Sequence, residues 1–244
     1  MLNILGIGRS GLHANQYKLD AVADEIANVN TDGYKAKKIS FQELIVDQDT
    51  SVGTKAAITK TDFSQGILKD TGKRWDLAIE GSGFFGIEDD NGNMALTRNG
   101  AFTMTEAGIL VDERGYGVVA EYLDGYQELD HGKVSLTADG ELIVFEDGAS
   151  RTVGRIPVFD VENPNALTHL GESWFLPHAD AVVISSADEG TELGKIRSGF
   201  LEGSNSDLTK AMTEMIVAQR SYSLNAEALR STDDLMRLVN DLKR

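Results

Sequence analysis

Apolar residues recur in two different rhythms along this chain, and the change of rhythm divides it. Over the first 30 residues Met1, Leu5, Gly8, Leu12, Asn15, Leu19, Val22, Ile26 and Val29 alternate steps of four and three, the seam of a helix that packs on another helix. Gly6, Gly8 and Gly11 predict fraying in its first turns, since each costs roughly 1 kcal/mol against alanine. Asn30-Thr31-Asp32-Gly33 supplies the stop, with Gly33 free to adopt a left-handed conformation. The last 38 residues repeat the seam through Leu208, Ala211, Met215, Ala218, Tyr222, Asn225, Leu229, Thr232, Met236 and Val239, with Ser206 or Asp207 as the N-cap. A helix of that length extends roughly 50 Å, so its apolar stripe needs a partner beyond a small β domain. The first helix is the natural one. Two amphipathic helices can also cover a sheet, but a narrow seam with Ala, Asn and Thr at core positions favours helix on helix. Asn15 and Asn225 set the register of such a pair if they are buried, and do not if they face solvent.

Between the helical ends the period shortens. Leu77 and Ile79 lead into the Phe84-Phe85 pair, and turn dipeptides recur at Asn91-Gly92, Asn99-Gly100, Asp124-Gly125, Asp139-Gly140 and Asp147-Gly148. The clearest hairpin runs from Val134 to Phe145 with Asp139-Gly140 at its tip. Residues 31–75 carry no sustained period and read as extended and irregular. The expected architecture is α+β. Residues 1–30 with 205–244 form a helical assembly domain whose long helices pair as a coiled-coil-like layer. Residues 31–75 with 190–204 connect it to a mainly β central domain over 76–189.

Charge sharpens this division. The chain of 244 residues carries a net −16, yet residues 1–41 sum to +1 and residues 201–244 to −1. The whole excess lies in the middle, which argues against a phosphate-backbone partner such as nucleic acid. There is no cysteine, hence no disulfide and no thiolate metal site. No apolar run is long enough to span a membrane, and the first residues lack the basic region and cleavage site of a secretory signal.

Candidate chemistry is sparse. Gly6-x-Gly8-x-x-Gly11 matches a dinucleotide fingerprint literally, but it has no preceding strand and lies within the helical seam. Asp89-Asp90-Asn91-Gly92-Asn93 resembles a calcium loop without the closing glutamate, and reads as a hairpin turn. His13, His131, His169 and His178 are scattered, acidic pairs such as Asp188-Glu189 are ordinary on an acidic surface, and no nucleophile elbow occurs. The expectation is a non-enzyme with no cofactor, no metal and no small-molecule substrate.

A-N-V-N-T-D-G-Y-K (Ala27 to Lys35) resembles the signature that closes the first helix of bacterial flagellar rod and hook axial proteins. Further matches follow in the family's order: D-L-A-I-E-G-S-G-F-F (Asp76 to Phe85), T-R-N-G-A-F (Thr97 to Phe102), G-I-L-V (Gly108 to Val111), E-G-S-N (Glu202 to Asn205) and M-I-V-A-Q-R-S-Y-S-L-N-A (Met215 to Ala226). The chain departs from the family pattern at Asp24, Glu25 and Asp32. One middle domain of this size resembles the distal rod type; a proximal rod or hook paralogue is the alternative, and a surface-displayed β-domain binding protein is the rival from another class. The resemblance implies a structural subunit of the flagellar basal body that self-assembles into a tubular helical rod for motility. It also implies passage into the cell envelope through the flagellar type III export apparatus, with further copies and neighbouring rod and hook proteins as partners. The expected assembly residues are Leu5, Leu12, Asn15, Leu19, Val22, Ile26, Val29, Leu208, Met215, Tyr222, Asn225, Leu229 and Met236. The motif residues carried over are Ala27, Asn28, Thr31, Gly33, Tyr34, Gly81, Gly83, Phe84 and Phe85.

Overall fold

The computed structural model describes residues 2–45, 52–89, 92–105, 108–123, 134–146, 149–171, 173–178, 180–188 and 193–242. The expected turns at Asp124-Gly125 and Asp147-Gly148, together with His131, Asn91 and Glu189, lie outside them. The chain forms two compact units. Unit 1 comprises Met1–Val29, Ala36–Asp62 and Ser206–Arg244, and unit 2 comprises Asn30–Lys35 and Phe63–Asn205.

Unit 1 contains α1 (Leu2–Ala27), the strands β1 (Lys37–Ile45) and β2 (Val52–Thr61), and α2 (Leu208–Leu242). The helix α1 runs through its glycines instead of fraying at them. The reason is close approach: a Cβ at Gly8 would lie 3.0 Å from Leu229 Cδ1, and one at Gly11 3.2 Å from Asn225 Nδ2. Small side chains continue the contact surface, with Ala14, Ala211 and Ala218 buried. Lys18 Nζ stands 3.5 Å from Glu214 Oε2, so the two helices run antiparallel. Asp207 caps α2, its Oδ1 accepting from the amides of Thr209 at 2.9 Å and Lys210 at 3.2 Å.

The stretch expected to be irregular differs in the structure. β1 and β2 form an antiparallel hairpin, in register from Lys37 opposite Thr61 to Ile45 opposite Val52, with an irregularity between Lys38 and Ile39. The hairpin packs on α1. That irregularity breaks the two-residue period near the start of β1, and a two-stranded ribbon needs only one apolar face, so the alternation is too sparse to read. Lys37 Nζ reaches Asp24 Oδ2 at 2.7 Å and Lys38 Nζ reaches Asp62 Oδ2 at 2.7 Å.

Among its described residues, the regular structure of unit 2 is β apart from one short 3-10 turn at Pro164–Ala166. It opens with β3 (Leu68–Asp70) and β4 (Leu77–Glu80), followed by the hairpin of β5 (Phe84–Glu88) and β6 (Met94–Thr97). This hairpin is the centre of a nine-stranded sheet. β6 pairs with Trp174–Pro177, while β5 pairs first with Val158–Val161 and then with Gly117–Val118. Alternation sends neighbouring side chains to opposite faces, and both faces are covered. Phe85, Ile87 and Ala95 enter a large core with Leu142, Val153 and Ile156, contributed by a four-stranded sheet that includes the expected Val134–Phe145 hairpin. Phe84 and Leu96 enter a second core with Phe159, Val161 and Phe175. Phe63 closes that core edge-on, with its ring centroid 5.5 Å from Phe84 and 5.3 Å from Phe175.

The ends of unit 2 lie side by side. β3 pairs antiparallel with Phe200–Glu202, in register from Asp70 opposite Phe200 to Leu68 opposite Glu202, and β4 pairs with Lys195–Ser198.

Candidate functional site

The seam residues of α1 turn inward. Val22 is buried, and Leu12, Asn15, Leu19, Ile26 and Val29 are half-buried. The helix α1 includes Leu5. On α2, Met215, Asn225, Leu229 and Met236 are half-buried, whereas Leu208 and Tyr222 are exposed. Asn15 donates its Nδ2 to the carbonyl of Gly11 at 2.8 Å, and Asn225 faces that same glycine, so both asparagines border the helix pair. Between the helices Glu25 is raised above the ordinary glutamate pKa, chiefly by burial and then by the Glu214 carboxylate, with Lys210 opposing.

Where the inner row ends, a second apolar row begins. At about 100° per residue, Ile216, Val217, Leu224, Leu235, Leu238 and Leu242 fall on the side of α2 opposite its seam. They stay exposed, Leu235 at 65% and Leu238 at 61%. A helix apolar on two flanks is more than a cover for one neighbour.

The motif residues converge on a single buried cluster in unit 2. Lys35, the last residue of the signature, is fully buried, and its Nζ contacts Glu202 Oε1 at 2.6 Å. Arg98, from T-R-N-G-A-F, reaches Glu202 Oε2 from Nη1 at 3.0 Å and gives Nη2 to the Gly81 carbonyl at 2.8 Å. Phe63–Gly66, from the stretch expected to be irregular, completes the cluster: Lys35 donates to the Ser64 carbonyl at 2.8 Å, and the Gly66 amide donates to Glu202 Oε1 at 2.7 Å. Gln65 spans the Ile79 carbonyl and the Gly81 amide. Burial pulls the Arg98 guanidinium below its usual pKa, while the charge and hydrogen bond of Glu202 pull it back up. Two cations share one carboxylate away from water, an arrangement that is expensive to break once formed.

Backbone fit explains the glycines of these motifs. Gly33 has φ +71°, and a Cβ there would lie 2.3 Å from the Asn99 nitrogen; its amide donates to the Glu202 carbonyl at 2.6 Å. A Cβ at Gly66 would stand 2.0 Å from the Gly203 carbonyl oxygen. Gly81 and Gly83 also have positive φ, and Phe84 and Phe85 are the core residues already placed. Tyr34 is buried, while Ala27 ends α1 and Asn28 bonds back to Asp24. Two of the departures from the family pattern have ionic partners: Asp24 with Lys37, and Asp32 with Lys69 at 2.9 Å. The sequence places Lys35, Arg98 and Glu202 in separate motifs and Gln65 in the stretch expected to be irregular, and none of the four was expected to form a site.

Among the described residues no three His, Asp or Glu side chains gather as a metal site, and no helix is long and apolar enough to cross a membrane. Gly6, Gly8 and Gly11 lie inside α1. Asp89 serves as a turn residue, its Oδ1 accepting from the Asn93 amide at 2.8 Å.

In chain order the buried motifs lie between two long helices. Three family models match in order: flagella basal body rod protein over residues 5–35, flagellar hook protein FlgE/F/G D1 domain over 78–144, and flagellar basal body rod FlgEFG protein C-terminal over 197–242. The flagellar basal-body rod protein FlgG of Bacillus subtilis is 32% identical over 268 residues, covering 100% of both chains. FlgG of Borreliella burgdorferi is 31% identical over 265 residues with the same full coverage. FlgF of Mesorhizobium japonicum is 29% identical, covering 95% of this chain and 94% of its own. The chain belongs to the flagellar basal-body rod protein family and is of the FlgG-like type.

Proposed function

We propose that this chain is a structural subunit of the bacterial flagellar basal-body rod, self-assembling into a tubular helical structure through its terminal helices. The observation that supports this most directly is the second apolar row of α2, which the chain's own α1 leaves exposed. On this reading α1 and α2 form a coiled-coil-like pair along their seams, and the outer row packs on further copies. Head-to-tail contacts that do not close on themselves extend as a helical filament. Adjacent rod and hook proteins cap the filament at its ends, and the flagellar type III apparatus delivers the subunits. The acidic middle of the chain suits a solvated surface, since like charge keeps such surfaces apart.

The test is assembly of the purified chain, followed by light scattering and electron microscopy as concentration rises. Filaments or tubes are expected. A protein that stays monomeric at high concentration, in a strain whose flagella grow normally without it, would overturn the reading.

A further inference from the structure

We propose that the buried Lys35–Glu202–Arg98 cluster is a clasp that prevents unit 2 from being peeled open along the chain segments that enter and leave it. The first observation is where the cluster stands in the chain. The chain passes between the units at 29/30, 35/36, 62/63 and 205/206, and the segments beside these crossings are Asn30–Lys35, Phe63–Gly66 and Glu202–Asn205. The cluster takes a charged or polar group from each: Lys35 Nζ, the Ser64 carbonyl with the Gly66 amide, and the Glu202 carboxylate.

The second observation is strand geometry. β3 and its partner Phe200–Glu202 form a short two-stranded ribbon whose terminal pair, on the side of the crossings, is Leu68 opposite Glu202. An antiparallel ribbon pulled from one end opens one pair at a time, and a two-stranded ribbon has little else to hold it. Glu202 occupies the first pair that would part. Its carboxylate is tied to Lys35 and, through Arg98, to the Gly81 carbonyl at the end of β4. Peeling must therefore break two buried ion pairs and the Gly66 amide bond to the same carboxylate before any later pair feels the pull. Backbone bonds reinforce the same point, with Gly33 donating to the Glu202 carbonyl and Gly203 donating to the Ile67 carbonyl at 2.9 Å.

The third observation is contrast. Lys69 and Asp32 also bridge two of these segments, but Lys69 is half exposed, so the pair is screened by water and contributes little. Fixing the segments falls to the buried cluster. This clasp is a property of the single chain and does not rest on the rod reading.

Hydrogen exchange on the purified full-length protein tests it. In the wild type, amides in 30–35, 63–70 and 200–205 are expected to exchange together with those of β5 and β6, because the segments open only when unit 2 does. Glu202→Gln keeps the side chain's shape and removes its charge. It should speed exchange in those three segments by roughly tenfold or more while leaving 84–97 unchanged, as expected when a charge-assisted buried contact is lost locally. Lys69→Gln should leave the same segments within about twofold of wild type. If the Glu202 variant does not fold, Lys35→Met carries the test, with faster exchange confined to 30–35 and 63–66. Unchanged exchange in either variant would overturn the clasp. So would a uniform rise across unit 2, which would make the cluster ordinary support for the core.

Discussion

The two units solve the problem of burial differently. Unit 2 sandwiches its central sheet between two cores and closes its entry and exit segments with a buried ionic cluster. Unit 1 pairs two long helices along a narrow row of small and half-buried residues, then leaves a second row of leucine, isoleucine and valine exposed. One unit buries its large apolar side chains within the chain, and the other leaves a row of them open to solvent. A protein built this way should tolerate damage in opposite ways on its two sides: core changes in unit 2 act on folding, and outer-row changes in unit 1 act on association.

The most damaging change we expect is Gly66→Ala. A Cβ there meets the Gly203 carbonyl oxygen at 2.0 Å, a backbone atom that cannot step aside without breaking the ribbon. Loss of more than about 4 kcal/mol is expected, in the range reserved for a disrupted network. Calorimetry should show the unit 2 transition collapse, and a mild shift instead would mean the ribbon bends to accommodate the methyl. Leu229→Asp comes next. Leu229 packs against Gly8 of its own α1, so the first effect falls on the helix pair within one chain. Forfeiting half a leucine's burial costs roughly 0.8–1.5 kcal/mol, and placing a carboxylate there adds to it. Helicity by circular dichroism should fall even at dilution where no polymer forms. Retained helicity would mean the seam carries little of the pairing.

Leu235→Asp is the complementary case. Leu235 is 65% exposed, so melting of the monomer should move by less than about 0.5 kcal/mol, as for surface changes generally. The critical concentration for assembly, read by light scattering, should rise at least about tenfold because every added subunit carries the penalty. An unchanged critical concentration would remove the outer row from the interface. The smallest effect is at Glu25, whose folded pKa is raised. A raised carboxyl pKa contributes stability that is fully present below the ordinary glutamate value and is lost as pH rises through the folded value. Glu25→Gln should therefore stabilise unit 1 slightly at neutral pH and make no difference in acid. A destabilised variant at neutral pH would show that Lys210 dominates over burial.

What could be read in advance follows from range. The helices were legible because their seams are local, repeating every three or four residues from Leu12 to Val29 and from Ala211 to Met236. Asp207 and the Asp139-Gly140 tip were legible as local turn and cap chemistry. The β1–β2 hairpin was not, because its register breaks between Lys38 and Ile39 and it needs only one apolar face. The ionic cluster was hidden by separation. Lys35 and Glu202 stand 167 positions apart, and one lysine and one glutamate in a chain rich in both give no sign of being paired. Likewise the two-row nature of α2 was masked by its seam, since the same periodicity that reveals an inner face draws attention from leucines on the far side.

The pairing of Leu68 with Glu202 brings the two ends of the long β stretch to adjoining strands, while Asn30–Lys35 joins the same unit from outside that stretch. A body whose two loose ends emerge next to each other is a cassette. It can be lifted out of a host chain and another of different size set in its place, provided the replacement also presents neighbouring ends and a seat for Lys35. Seen in this way, the helical unit is the frame and the β stretch is what it carries. The β unit is an insert whose bulk can be enlarged, trimmed or exchanged by engineering, or over evolutionary time, without rewriting the frame that carries it.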